Sequence, residues 1–224
     1  MLDVDVLLLD LDGTLLDFEA SQAEALRSTV ADLGIEWTDD LGTTYADING
    51  ALWGAYERRE IAAADLRRTR WARYLEALSV DADPDAVGEG YLSAFAAGAH
   101  VLPGAVEAVD ALAERHRLAV ITNGFGDVQH ERLERSGLIG HMEAVVVSDA
   151  VGASKPDARI FDAAFAAMGS PARDRAAIVG DSLTADIAGG HAYGITTVWV
   201  NARGAAVGDG PRPHHEIRSV TELV

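Results

Sequence analysis

The segment Val6-Leu7-Leu8-Leu9-Asp10-Leu11-Asp12-Gly13-Thr14 is the most informative part of the sequence, because four consecutive apolar residues run directly into two acids and a glycine. A short apolar run that ends in a polar turn predicts a buried strand, which we expect at residues 4–9. Side chains alternate between the faces of a strand, so Asp10 and Asp12 are expected on the same side. Two carboxylates placed in this way can share a cation and divide nucleophilic attack from proton transfer. Taken alone, the stretch is also compatible with a turn that holds helix-capping aspartates.

Four further apolar runs predict strands at residues 118–121, 144–147, 176–179 and 197–200. Helical spacing lies between the later runs, as at residues 128–135 and 158–168. This alternation predicts an α/β fold, a Rossmann-like doubly wound parallel sheet with helices on both faces. Residues 214–220 are expected to add an edge strand. In such a sheet the ligand site lies beyond the carboxyl ends of the strands.

The connection between the first two strands is about 100 residues long, several times an ordinary crossover, so it must carry structure of its own. Apolar residues recur there at three and four positions, which predicts an inserted all-helical cap domain. We expect a core domain of residues 1–16 and 100–224 and a cap domain of residues 17–99. The predicted cap helices span residues 19–33, 45–63, 66–78 and 84–97, and the core resumes with a helix over residues 105–114.

The composition limits the classes of function that the chain can have. Its 224 residues are 49% hydrophobic, and 36 acidic against 18 basic residues give a formal charge of −18. That charge repels nucleic acid polymers and anionic membranes. The chain has no cysteine and no apolar stretch of the roughly 20 residues that span a bilayer. We therefore expect a cytoplasmic protein whose partner is a small phosphorylated metabolite. We expect it to be a monomer or homodimer.

Polar residues follow the second and third predicted strands. Thr122-Asn123-Gly124 can offer a hydroxyl, an amide and backbone N–H groups to a phosphate, although the same residues often form an ordinary turn. Lys155, after the third strand, can neutralise a phosphoryl group or hold the nucleophile, with a solvated surface lysine as the alternative. The sequence thus places phosphate-binding chemistry at the same sheet edge as the two acids.

Two more acids follow the fourth predicted strand, Asp181 and Asp186. Magnesium binds one or two carboxylates together with carbonyl, water and phosphate oxygens. The expected ligands are Asp10, the backbone carbonyl of Asp12, Asp181 and Asp186. Asp186 considered alone is equally compatible with a partner of a helix dipole.

These four groups, each at a strand end and in this order, resemble the haloacid dehalogenase superfamily over essentially the whole chain. The resemblance implies that Asp10 is a nucleophile that forms an aspartyl-phosphate. It implies that Asp12 protonates the leaving oxygen and later activates water, and that Thr122 and Lys155 bind the phosphoryl group. It also implies a magnesium ion on Asp181 and Asp186, a strand order of 5-4-1-2-3, and a helical cap that closes over the substrate.

Within the superfamily, several stretches are similar to bacterial pyrimidine 5'-nucleotidases, which act on nucleoside monophosphates. They include residues 122–125, 180–183 and 197–201 of the core, and more loosely the cap residues around Asn49, Trp53 and Arg70. The predicted substrate-binding residues are Asn123, Gly124, Phe18, Asn49, Trp53 and Arg70. For the aromatic residues, packing in a helical core is the alternative.

Three other functions stay open at this stage. N-acetylneuraminate-9-phosphatase shares the Thr-Asn-Gly turn and a similar ending around residues 197–201. A 2-haloacid dehalogenase would use the first aspartate, but such enzymes lack an acid at the position of Asp12. A binding protein without catalysis would be free to lose Asp10, Asp12, Lys155 or Asp181, and all four are present.

Overall fold

The computed structural model describes residues 2–224, which divide into two compact units. The core unit is the chain up to Phe18 together with Ala99–Val224, and the helical unit is Glu19–Gly98. Over residues 2–224, no helix has both the length and the apolar character needed to cross a membrane.

The core unit is built on a six-stranded sheet in which every neighbouring pair is parallel. Its strands are β1 Val6–Leu9, β2 Arg117–Thr122, β3 Ala144–Val147, β4 Ala176–Gly180, β5 Thr196–Val200 and β6 His215–Ile217. The order is β3-β2-β1-β4-β5-β6. The predicted order of five strands is therefore confirmed, and β6 extends the sheet beyond β5, within the segment predicted as an edge strand.

Helices account for most of the remaining described chain. They are α1 Phe18–Asp32, α2 Asp39–Glu57, α3 Ala63–Ala77, α4 Pro84–Ala97, α5 Ala105–Ala113, α6 Gly126–Arg135, α7 Ser148–Val151, α8 Ala158–Ala167 and α9 Ala188–Tyr193. A π-helical turn, Leu183–Ile187, leads from β4 into α9.

Strand β1 lies in the middle of the sheet, and its alternating side chains feed two separate apolar layers. Leu7 and Leu9 belong to the layer under α5, whereas Val6 and Leu8 belong to the layer under α8. All four side chains are fully buried, and each contributes roughly 1.5–3 kcal/mol of transfer free energy. This burial fixes the depth of β1, so the chain leaves the sheet at Asp10.

The helical unit has an aromatic core formed by α2, α3 and α4. Tyr45, Trp71, Tyr74 and Tyr91 are buried there, with ring centroids of the contacting pairs 5.0 to 5.7 Å apart. Contacts at this spacing add to the energy of burial. The unit is therefore stabilised by aromatic packing across three helices.

The predicted bounds of the second cap helix, residues 45–63, were wrong at both ends. Helix α2 begins at Asp39, where Asp39 and Asp40 place negative charge at the helix N-terminus. It ends at Glu57, because Arg59 adopts a left-handed backbone with φ 61°. The side chain of Asp65 accepts from the Ala62 N–H at 3.4 Å, at the start of α3.

Candidate active site

Asp10 is the first residue beyond β1, and hydrogen bonding to β4 holds it at the sheet edge. Its N–H donates to the carbonyl of Val179 at 2.9 Å, and only 6% of the residue is exposed. Three residues on, Gly13 has φ 82°, a backbone conformation that favours glycine. A Cβ at Gly13 would collide with the carboxylate of Asp181. Gly13 therefore both turns the chain and leaves room for a second acid.

Lys155 is the centre of the charge network. Its Nζ donates to Asp10 Oδ1 at 2.5 Å, to Asp186 Oδ1 at 2.6 Å and to the carbonyl of Ile121 at 2.8 Å. The side chain is only 2% exposed. The surface alternative for Lys155 is thus wrong, because three acceptors surround its ammonium group inside the core unit.

The two acids that follow β4 are held differently. Asp186 is buried and accepts from the Ser182 N–H at 3.0 Å as well as from Lys155. Asp181 is exposed, and the Trp199 indole N–H donates to its backbone carbonyl at 2.8 Å. Asp10, Asp181 and Asp186 each offer an oxygen, and these oxygens lie within 4.8 Å of one another.

The charges at this edge do not balance. Burial, and then the carboxylates of Asp186 and Asp181, raise the pKa of Asp10 well above its ordinary value, although Lys155 opposes the shift. Desolvation by the surrounding protein and then the charge of Asp186 raise the pKa of Asp181 to about 6, although part of the residue stays in contact with solvent. Three clustered carboxylates with one lysine leave excess negative charge, and their oxygens are ligands that fit a hard divalent cation.

Lys155 itself stays protonated. Burial lowers its pKa, but the carboxylates of Asp10 and Asp186 outweigh that effect and raise the pKa above the ordinary value. The ammonium is therefore a fixed positive charge beside Asp10.

The turn after β2 is locked onto neighbouring segments. The side-chain amide of Asn123 donates to the Lys155 carbonyl at 3.1 Å and accepts from the Lys155 N–H at 2.8 Å. The N–H of Gly124 donates to Ser148 Oγ at 3.0 Å. In this structure Asn123 and Gly124 thus hold Lys155 and Ser148 in place, and their predicted contact with substrate stays a prediction.

The carboxylate of Asp12 contacts two residues that were not predicted from the sequence. Arg132 Nη1 donates to Asp12 Oδ1 at 2.5 Å, and Gln129 Nε2 donates to Asp12 Oδ2 at 2.9 Å. The same Nε2 also donates to Thr122 Oγ1 at 2.9 Å. The signal that could have found them is their spacing of three on α6, which puts them on one helix face just after the Thr122 turn.

The predicted cap residues fall into two groups. Within the helical unit, Arg70 Nη1 donates to Asn49 Oδ1 at 3.0 Å, and both residues are buried. Trp53 is half-buried and packs edge-on against Tyr56, with ring centroids 5.6 Å apart. Phe18 is the first residue of α1 and belongs to the core unit. The structure thus brings Asn49 and Arg70 together, with the Arg70 guanidinium against buried aromatic rings.

The core arrangement brings together side chains that suit acyl-phosphate chemistry. Asp10 is a buried carboxylate beside a fixed positive charge, which suits a nucleophile. Asp12 lies two residues away and is partly open to solvent, which suits proton exchange. Thr122 supplies a hydroxyl at the same edge of the sheet.

Comparisons with known proteins identify the family of the chain. The family described as haloacid dehalogenase-like hydrolase matches residues 4–194. Pyrimidine 5'-nucleotidase YjjG of Escherichia coli is 33% identical, over 98% of this chain and 96% of its own. Pyrimidine 5'-nucleotidase PynA of Streptococcus pneumoniae is 32% identical, over 97% and 92%. A magnesium-bound structure of the HAD-hydrolase YfnB of Bacillus subtilis is similar with a TM-score of 0.90 and 32% identity, over 99% of this chain and 97% of that one.

Proposed function

This chain belongs to the haloacid dehalogenase-like hydrolases, and from that premise we propose that it is a magnesium-dependent phosphatase of nucleoside 5'-monophosphates, pyrimidine nucleotides in particular. The observation that supports this reaction type is that Lys155 donates hydrogen bonds to both Asp10 and Asp186, while the acid Asp12 lies two residues beyond Asp10. Full-length similarity to two pyrimidine 5'-nucleotidases supports the substrate class.

In the first proposed step, the carboxylate of Asp10 attacks phosphorus while Lys155 keeps that carboxylate in place. The bond from phosphorus to the nucleoside 5'-oxygen breaks, and Asp12 gives its proton to that oxygen. The products are a nucleoside and an aspartyl-phosphate on Asp10. The Thr122 hydroxyl donates a hydrogen bond to a phosphoryl oxygen during this transfer.

In the second step, Asp12 removes a proton from water, and the water oxygen attacks phosphorus. The bond between Asp10 and phosphorus breaks, which releases inorganic phosphate and restores the Asp10 carboxylate. Asp12 therefore ends the cycle protonated again, with a proton from water in place of the one that left with the nucleoside.

Asp10, Asp181, Asp186 and the backbone carbonyl of Asp12 would hold magnesium, since three clustered carboxylates with one lysine leave excess negative charge. When bound, the cation supplies positive charge that screens the phosphoryl oxygens from these carboxylates. We also propose that Asn49, Trp53, Arg70 and Phe18 are residues for recognition of the nucleoside.

A second substrate class would use the same machinery. N-acetylneuraminate 9-phosphate, like other sugar phosphates with the phosphate on a primary hydroxyl, is a phosphomonoester of a primary alcohol, so the chemistry of Asp10 and Asp12 would serve these esters equally. The dehalogenase alternative is weaker, because halide leaves carbon without a proton and Asp12 would have no task.

The test is phosphate release with magnesium from uridine, thymidine and purine monophosphates, sugar phosphates and N-acetylneuraminate 9-phosphate. Preference for pyrimidine monophosphates by kcat/KM is the expected result, and Asp10→Asn is the inactive control. A preference for a sugar phosphate would replace the substrate and keep the mechanism. Release from none of these esters would contradict the phosphatase assignment.

A further inference from the structure

One face of helix α6 is joined to both the general acid and base and the phosphate-binding hydroxyl. Gln129 is 2% exposed and Arg132 is fully buried, and both donate to the carboxylate of Asp12. Each oxygen of Asp12 thus accepts from a different side chain of the same helix. A carboxylate held at both oxygens cannot rotate without losing one of these hydrogen bonds.

Gln129 links that carboxylate to Thr122. Its Oε1 accepts from Arg132 Nη1 at 2.9 Å, which fixes the direction of the amide. Its Nε2 consequently faces both Asp12 and Thr122 Oγ1. Because the Thr122 oxygen accepts from this amide, the hydroxyl hydrogen remains for donation to another acceptor.

We propose that Gln129 and Arg132 are positioning residues that aim the Asp12 carboxylate and the Thr122 hydroxyl at the same phosphoryl group. This inference rests on the proposed function. Arg132 acts mainly through Asp12, and therefore on proton transfer. Gln129 acts on both partners, and therefore also on binding of the phosphoryl group.

The distinguishing experiment compares two esters that differ in their need for an acid. A nucleoside 5'-monophosphate releases an alkoxide that must be protonated, whereas 4-nitrophenyl phosphate releases a phenolate that is stable without a proton. Because kcat/KM reports the steps up to transfer of the phosphoryl group, loss of acid catalysis lowers it for the nucleotide alone.

For Arg132→Met we expect kcat/KM for the nucleotide to fall by about 10- to 100-fold, and that for 4-nitrophenyl phosphate to change by less than about threefold. Slower hydrolysis of the aspartyl-phosphate should also produce a burst of nitrophenolate in rapid mixing. Arg132→Lys, which keeps a cationic donor, should recover part of the loss. Arg135→Met is the matched control, since Arg135 lies on the same helix and pairs with Glu131 at the surface.

For Gln129→Leu we expect KM to rise for both esters by about three- to tenfold, because the Thr122 hydroxyl loses its orientation. Circular dichroism and thermal unfolding show whether Arg132→Met folds. If it does not, Gln129→Leu and Arg132→Lys test the positioning role instead.

The positioning role would be overturned by folded variants in which kcat/KM falls equally for both esters without a change in KM. It would also be overturned if kcat/KM did not fall for either ester while the wild type remains a phosphatase. A folded wild type that hydrolyses neither ester would instead fail the proposed function, and the inference with it. The two failures are therefore distinguishable from the wild-type rates alone.

Discussion

Lys155 shows how much charge the core unit buries for the sake of its site. Its ammonium lies between Asp10 and Asp186 and is 2% exposed, so removal of the lysine leaves two carboxylates without a counter-charge. Breaking a buried ion pair in this way costs about 3–5 kcal/mol, more than most surface substitutions.

We therefore expect Lys155→Met to lower the free energy of unfolding by about 3–5 kcal/mol in the absence of magnesium and to remove phosphatase activity. Urea unfolding followed by circular dichroism measures the first effect. Arg159→Met is the control, because Arg159 is half exposed and pairs with Asp157 at the surface. Equal unfolding midpoints for the two variants would contradict the buried network.

Asp10→Asn tests the nucleophile, since the change keeps the size of the side chain and removes its attacking oxygen. Turnover should fall below about one-thousandth of the wild-type value while the fold is kept. The measurement is phosphate release, combined with trapping of the acid-stable phosphoenzyme. Asp174→Asn, at the opposite end of β4, is the control for loss of one exposed carboxylate. Wild-type-like turnover of Asp10→Asn would refute the assignment.

The residues at the strand ends could be predicted from sequence, but their helical partners could not. Asp10, Lys155, Asp181 and Asp186 each follow an apolar strand, and parallel strands bring their carboxyl ends to one edge. Gln129 and Arg132 lie instead within α6, beside Val128 and Leu133, where a polar residue ordinarily indicates the solvent face. Only the direction in which α6 packs shows that this polar face is buried.

Among the elements, the turn between β4 and α9 requires a residue without a side chain at Gly180. A Cβ on Gly180 would overlap the carboxyl group of Asp186. Asp186 in turn accepts from the Ser182 N–H, so it closes the turn while it faces Lys155. Glycine at this strand end is therefore a requirement of the proposed metal site.

Gly180→Ala should displace Asp186 and weaken magnesium binding by at least about tenfold, because backbone and carboxylate must both move. Isothermal titration with magnesium measures the change. Gly140→Ala is the matched control, since a Cβ there meets no atom within 4 Å. Unchanged magnesium affinity in Gly180→Ala would show that the carboxyl group of Asp186 is not needed for the ion.

The helices and strands differ in how far their bounds followed from sequence. Strand β3 was predicted at both ends, because the apolar run 144–147 is flanked by polar residues. Helix α2 was not, because Gly42, Thr43 and Thr44 weaken the helical pattern of its first turns. Its end depends on a left-handed Arg59, a conformation that side-chain type rarely reveals.

At the scale of the whole molecule, the net charge of −18 and the three acids of the site act in the same direction. Both disfavour ionisation of the carboxyl groups of the site, and both favour binding of a divalent cation. Stability should therefore depend jointly on pH and on magnesium.

The sign follows from Asp181, whose pKa rises from the ordinary 3.8 to about 6 on folding. Between these values the folded chain holds more protons than the unfolded chain, so stability falls as pH rises through that window. The raised pKa of Asp10 extends the effect in the same direction. A carboxyl group with a lowered pKa would give the opposite slope.

Without magnesium, the thermal unfolding midpoint should therefore decrease from pH 5 to pH 7.5, and magnesium should raise it most at the higher pH. At about 100 times its dissociation constant the ion adds about 2.7 kcal/mol, and each kcal/mol shifts the midpoint of a chain this size by about 2–4 °C. Differential scanning calorimetry with EDTA or magnesium at the two pH values measures both effects. In Asp181→Asn the pH slope and the magnesium response should shrink together, since one carboxylate contributes to both. If the variant kept the full magnesium response, Asp181 would not be a ligand, and the excess charge of the site would need another explanation.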